Sequence, residues 1–203
     1  MRMTTIHREA TEWCDIWLRS ADRNGLPRLL CIGDSITRGY YPAVEKGLEG
    51  RFACARLATS RFATDPVYHQ ELALVLGQYR FAVIHFNNGL HGWDFSEDDY
   101  REGMLGLVEL LRRQQPGAKL VCATSTPIRL PGDSERFDPR HQRVVVRNRI
   151  TSGIMAVERI PLDDLFPLAL ARPDWFAGDG IHYNESGCAG LAAAVCASVT
   201  AVG

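Results

Sequence analysis

"LLCIGDSITRGY", residues 29–40, is an apolar run that ends abruptly on Gly33-Asp34-Ser35 and continues into a short polar segment. The run reads as a buried strand. Its end presents a serine where the chain leaves the core, and in open parallel sheets ligands gather at that edge, beyond the carboxyl ends of the strands. If the residues after Ser35 turn into a helix, its first N–H groups point outward and can stabilise developing negative charge. The plainer alternative is an ordinary strand-to-helix turn with Asp34 or Ser35 as the N-cap.

Working outward, further apolar runs occur at "RLLCI" (28–32), "FACARLA" (52–58), "FAVIHF" (81–86), "AKLVCAT" (118–124) and "VERIPL" (157–162). They are five candidate strands. Helical patterns separate them. The clearest opens at Ser96 with an acidic first turn, places Tyr100, Met104, Leu107, Val108 and Leu111 at helical spacing, and stops at Pro116-Gly117. Others are expected near 6–22, 66–79, 140–155 and 184–201, the last capped by Asn184. The alternation predicts an α/β fold, a parallel sheet covered by helices on both faces. It predicts one domain over residues 1–203, with the helix near 6–22 packed on it. The longest irregular stretch, 125–140, is rich in Pro, Gly, Asp and Arg and is expected to loop over one end of the sheet.

The formal charge of −1 gives no electrostatic reason to expect nucleic acid or an acidic membrane as a partner. No apolar run is read as a membrane span and the N-terminus carries charges throughout, so a soluble, cytoplasmic protein is expected. The six cysteines include no CxxC pair. Cys31, Cys54 and Cys122 in apolar runs and Cys188 and Cys196 in an Ala-rich helical pattern point to reduced, buried thiols rather than a disulfide framework or a zinc site.

A serine nucleophile needs a base, and an imidazole base needs a carboxylate to fix its tautomer. "FAGDGIHYNESG" places Asp179 three residues before His182, just ahead of the last expected helix. With Ser35 at a strand end, the order Ser, Asp, His favours a nucleophile, an orienting carboxylate and a base. "IHFNNGLHGWD" (84–94) leaves the central strand with Asn87, Asn88, Gly89 and His91, any of which can supply a donor where an oxyanion forms. His85, inside that strand, is expected to pack or hydrogen-bond in the core.

Together "GDSITRG" (33–39), "NGLHG" (88–92) and "DGIHYNESG" (179–187) resemble, in order, the nucleophile, third and Asp-His blocks of the SGNH/GDSL hydrolase family. "ATSTPI" (123–128) and "VVVRN" (144–148) are similar to a subgroup with a Thr/Ser-Thr-Pro turn after the fourth strand. The resemblance implies a flavodoxin-like three-layer α/β/α sandwich whose five parallel strands run in the order 2-1-3-4-5. It implies ester hydrolysis with no metal or organic cofactor. By it Ser35 is the nucleophile, His182 the base and Asp179 its partner, with the Ser35 N–H as one oxyanion donor. His91 stands where the family has an oxyanion-hole asparagine, with Asn88 or Asn87 as the alternative. The second block lacks its glycine, and the backbone N–H of Ser60 or Arg61 is the expected replacement.

The expected substrate is a small-molecule or carbohydrate ester, most simply an acetate. Asp34, Asn87, Trp93 and Trp175 lie near the site in sequence and are candidate substrate contacts. Arg129, Arg136 and Arg140 are candidates for meeting an anionic group. Rival readings are a non-catalytic module of the same fold that binds an acylated or carbohydrate ligand, a metallohydrolase using Asp34, His91, Asp179 and His182, and a phosphate binder. The spacing matches no common metal signature, and neither a P-loop nor GxGxxG follows the first strand.

Overall fold

A computed structural model describes residues 6–22 and 25–203. In chain order the elements are β1 (Cys14–Leu18), β2 (Arg28–Gly33), α1 (Ser35–Gly47), β3 (Ala53–Thr59), α2 (Pro66–Leu76), β4 (Val83–Phe86), α3 (Glu97–Gln114), β5 (Lys119–Ala123), β6 (Arg129–Leu130), β7 (Asp133–Phe137), α4 (His141–Glu158), β8 (Leu162–Asp163), α5 (Leu165–Leu170), a 3-10 turn (Pro173–Trp175) and α6 (Glu185–Val202).

The main sheet has the order β1-β3-β2-β4-β5-β8. Its last five members are parallel and follow the expected 2-1-3-4-5 order. Along β2 successive side chains enter opposite layers: Leu30 and Ile32 join the core beneath α2, α3 and α4, while Leu29 and Cys31 join the core beneath α1 and α6. Every residue of β2 is buried. Burial of each large apolar side chain contributes roughly 1.5–3 kcal/mol, so the strand that ends at Ser35 is anchored on both faces.

The helix expected near 6–22 does not form. Residues 14–18 instead make β1, antiparallel to β3, with Cys14 opposite Thr59 and Leu18 opposite Ala55. Without β1 the edge of β3 would expose unpaired N–H and C=O groups. Ile16 and Leu18 also pack on the core, and Arg56 of β3 donates to Asp15 at 2.7 Å. These cross-strand gains override the helical spacing. The expected fifth strand is shorter and later, at Leu162–Asp163, because α4 continues to Glu158. Asp163 meets the fully buried His85 of β4, Nε2 to Oδ2, at 3.0 Å. This is the core hydrogen bond expected of that histidine.

The stretch 125–140 contains a small hairpin, β6 and β7, that docks on the loop ahead of α6: Arg129 N–H donates to Gly180 O at 2.7 Å and Gly132 N–H to Gly178 O at 2.8 Å. Helix α3 begins with a reciprocal capping box between Ser96 and Asp99. Helix α6 is long and apolar enough to cross a membrane by length and composition, contrary to the sequence reading; here Leu191, Ala192, Val195 and Val199 are buried in the core shared with α1. All six cysteines are free. Burial, reinforced by Glu45, pushes the Cys54 thiol up to about 12, and burial likewise raises Cys31 and Cys122, which keeps them protonated and inert.

Candidate active site

Two turns at the carboxyl edge of the sheet build the site. In the first, Asp34 caps α1, its Oδ1 accepting from Ile36 N–H at 2.9 Å. Gly33 is required there because a Cβ would fall 2.1 Å from Thr37 Oγ1. Ser35 is the first residue of α1, so its N–H has no acceptor within the helix and remains available.

In the second turn, Asp179 Oδ1 accepts from the N–H groups of Ile181 and His182, both at 2.9 Å. These bonds aim its other oxygen, Oδ2, at His182 Nδ1, 2.6 Å away. His182 Nε2 lies 2.8 Å from Ser35 Oγ. Residues 147 apart in sequence thus form one continuous hydrogen-bonded chain from carboxylate to imidazole to hydroxyl. Partial burial pushes Asp179 up, but the His182 ring and the two backbone donors outweigh it and draw the carboxyl down to about 2. Asp179 is therefore ionised at neutral pH. It accepts from Nδ1–H and leaves Nε2 as the lone pair that faces the serine.

The family profile of GDSL-like lipases and acylhydrolases matches residues 31–189, a span that holds both turns. The chain belongs to that family. Membership makes this GDSL-like acylhydrolase an SGNH-type carboxylic ester hydrolase. No curated protein sequence matches it. Similar solved structures include the aryl esterase of M. smegmatis (18% identity, 87% of this chain and 99% of the other, TM-score 0.70). They also include an acetylxylan esterase of Geobacillus stearothermophilus (18%, 85% and 94%, 0.68) and the catalytic domain of a peptidoglycan O-acetyltransferase of Streptococcus pneumoniae (15%, 87% and 94%, 0.65). At these identities the likeness establishes the shared fold.

Several other expected site residues lie elsewhere. The Ser60 N–H is spent on Trp13 O at 3.1 Å, and its hydroxyl donates to Glu12 at 2.7 Å, so Ser60 extends the β1–β3 ladder and offers the GDSL-like site no donor. Arg61 N–H is turned to Thr59 Oγ1 at 3.3 Å. The Asn87 amide donates to Ala123 O at 2.8 Å and Ser125 Oγ at 3.2 Å, tying β4 to β5. The Asn88 amide donates to Arg61 O at 2.9 Å. Gly89 is needed for close approach, a Cβ there falling 2.1 Å from Ser125 Oγ.

The expected substrate contacts also change. Asp34 and Asn87 are buried. Trp175 is buried against α6, where a Cβ on Gly190 would lie 2.1 Å from its ring. Half-buried Trp93 is stacked by the guanidinium groups of Arg147, Arg140 and Arg143 at 4.9, 5.2 and 5.8 Å. Arg129 is buried beside the Phe137 and Phe176 rings, Arg140 is doubly bonded to Asp138, and Arg136 pairs with Asp133 at 3.7 Å. Among the described residues no three His, Cys, Asp or Glu side chains are arranged to hold a metal ion.

The sequence reading missed the groups that support the site from α4. Fully buried Arg147 donates to the carbonyls of His91 at 2.7 Å and of Gly89 and Gly92 at 3.0 Å, while Glu97 accepts from it at 2.9 Å. Its neighbour Asn148 both accepts from Ser125 N–H and donates to Ser125 O, each at 2.8 Å. One turn of α4 thus clamps the loop after β4 and the turn after β5. The motif "VVVRN" carried this signal, since Arg and Asn there fall among buried apolar residues.

Proposed function

We propose that this acylhydrolase cleaves small carboxylic esters, most simply acetates of carbohydrates or other small alcohols, through an acyl-enzyme on Ser35. The observation that carries the reading is the unbroken chain from Asp179 through His182 to Ser35 Oγ. Ser35 attacks the ester carbonyl as its proton passes to Nε2 of His182. The resulting imidazolium, held by ionised Asp179, returns that proton to the departing alcohol. Water, deprotonated by the same nitrogen, then releases the acid and frees Ser35. The Ser35 N–H, at the start of α1, serves as one oxyanion donor and His91 as a second. The preference for acetate draws on similar structures named as acetylxylan and aryl esterases.

The test is hydrolysis of p-nitrophenyl acetate and of acetylated sugars by the wild type, Ser35→Ala and His182→Ala, with chelator present. Turnover confined to the wild type supports the reading. Equal activity in all three removes it, and inertness of all three on every ester favours a ligand-binding module of the same fold.

A further inference from the structure

His91 Nδ1 lies 2.9 Å from Glu9 Oε1, and the same oxygen accepts the Gly92 N–H at 3.3 Å. Glu9 belongs to the irregular segment ahead of β1, outside the residues matched to the family. A carboxylate only accepts, so the hydrogen between the two side chains sits on Nδ1. A neutral His91 would then carry a lone pair on Nε2, which has no partner among the described residues. A lone pair repels an oxyanion. Only the imidazolium offers an N–H from Nε2 while Nδ1 remains bound to Glu9.

We propose that Glu9 is a positioning residue that keeps His91 doubly protonated, making His91 a cationic oxyanion donor at the position where the family resemblance implies a neutral amide. The inference rests on the esterase reading above and deepens it.

The surroundings support a charged ring. Glu9, bonded to the ring, and Glu12 of the N-terminal segment act on its charge, as does Asp34 of the turn after β2. Arg147 of α4 contacts the His91 carbonyl, Arg140 at the start of α4 acts on Glu9, and Arg38 of α1 lies over Trp13, whose ring is 6.2 Å from that of His91. Burial opposes the charge on His91, but the Glu9 hydrogen bond and the Asp34, Glu9 and Glu12 carboxylates outweigh it and raise the imidazole above its ordinary value. Burial likewise pushes Glu9 up, yet the His91 hydrogen bond and charge, with Gly92 N–H, hold it lower. The directions for the two partners agree on an ion pair. Because the His91 value is raised on folding, the pair is complete below the ordinary imidazole range and is lost as pH rises through the raised value.

The consequence is a division of labour between two histidines, His182 neutral as base and His91 charged as donor. The kcat/KM profile should therefore fall at high pH, as His91 loses the proton that makes it a donor.

The experiment measures kcat/KM for p-nitrophenyl acetate against pH, after subtracting spontaneous hydrolysis, in the wild type, Glu9→Gln, His91→Asn and Ser35→Ala. The His91 ring is titrated by NMR in the first two. Glutamine can still accept from Nδ1–H and removes only the charge. The expected result is a falling limb and a ring titration displaced about one unit or more to lower pH in Glu9→Gln, and no falling limb in His91→Asn, whose donor does not titrate. A falling limb unmoved in Glu9→Gln, or retained in His91→Asn, overturns the inference while inactive Ser35→Ala leaves the esterase reading standing. Full activity in Ser35→Ala overturns that reading and the donor role with it.

Discussion

Gly180 lies against the main chain of Arg129: at φ +74°, a Cβ on Gly180 would fall 2.4 Å from the Arg129 carbonyl oxygen. The β6–β7 hairpin and the turn carrying Asp179 and His182 are therefore in backbone contact, joined also by the Arg129 N–H to Gly180 O bond.

Gly180→Ala should test whether that contact sets the triad. A side chain at positive φ costs roughly 1–2 kcal/mol, before the hairpin moves to relieve the overlap. For a chain of this length the melting temperature should fall by roughly 2–8 °C. Displacement of His182 by even a fraction of an ångström should lower kcat about ten-fold or more, with KM less affected. Thermal unfolding and steady-state kinetics check both, and an unchanged kcat would show that the turn holds its own geometry without the hairpin.

Asp179→Asn should cost on the order of 10⁴ in turnover, because an amide that donates to Nδ1 leaves the hydrogen on Nε2, where it blocks proton transfer from Ser35. The pH dependence separates the two members of the pair. Asp179 is drawn down to about 2, so its contribution is present above the ordinary carboxylate range and is lost only as pH falls through that value. The acid limb of wild-type kcat/KM should consequently show no carboxyl protonation between about pH 3 and 5, where an ordinary carboxyl would titrate. A two-proton acid limb in that range would place the carboxylate outside the hydrogen-bonded chain.

How much of this could be read from the chain alone follows from where each hydrogen bond goes. Gly33-Asp34-Ser35 and Asp179-Gly180-Ile181-His182 are contiguous, and each is shaped by hydrogen bonds within its own turn, so the sequence displays both. The donors are different, because a backbone N–H is free only if no other strand takes it. Ser60 lost its N–H to Trp13 across 47 residues, through a strand whose residues also have helical spacing. Trp175 is a candidate substrate contact by its nearness to His182 in sequence, yet Gly187 and Gly190 of α6 make the hollow that buries it. Glu9 stands 82 residues from His91, and no local pattern links them. The parallel strands β2, β3, β4 and β5 were legible because their runs are mostly apolar and buried on both faces, whereas β8, only Leu162–Asp163, was displaced from the expected 157–162. The edge strand β1, half-buried and amphipathic, was not legible.

Arg147 supplies the last prediction. Its guanidinium is fully buried and serves three carbonyls of the 89–92 loop and one oxygen of Glu97 in a single plane. Arg147→Leu would fill part of the volume but leave those carbonyls unsatisfied, with Arg143 still pairing with Glu97. Breaking a buried pair of this kind costs about 3–5 kcal/mol. Arg147→Lys keeps the charge but not the planar fork, so it should recover only part of the loss. Urea unfolding of both variants measures this, with the midpoint order wild type, Lys, Leu expected. Because the carbonyls of Gly89, His91 and Gly92 all turn toward Arg147, the lysine variant should also lose turnover out of proportion to its stability, measured well below its unfolding midpoint. A lysine variant that is destabilised yet turns over ester at the wild-type rate would mean that the loop carrying His91 is held by its other contacts, with Glu9 foremost among them.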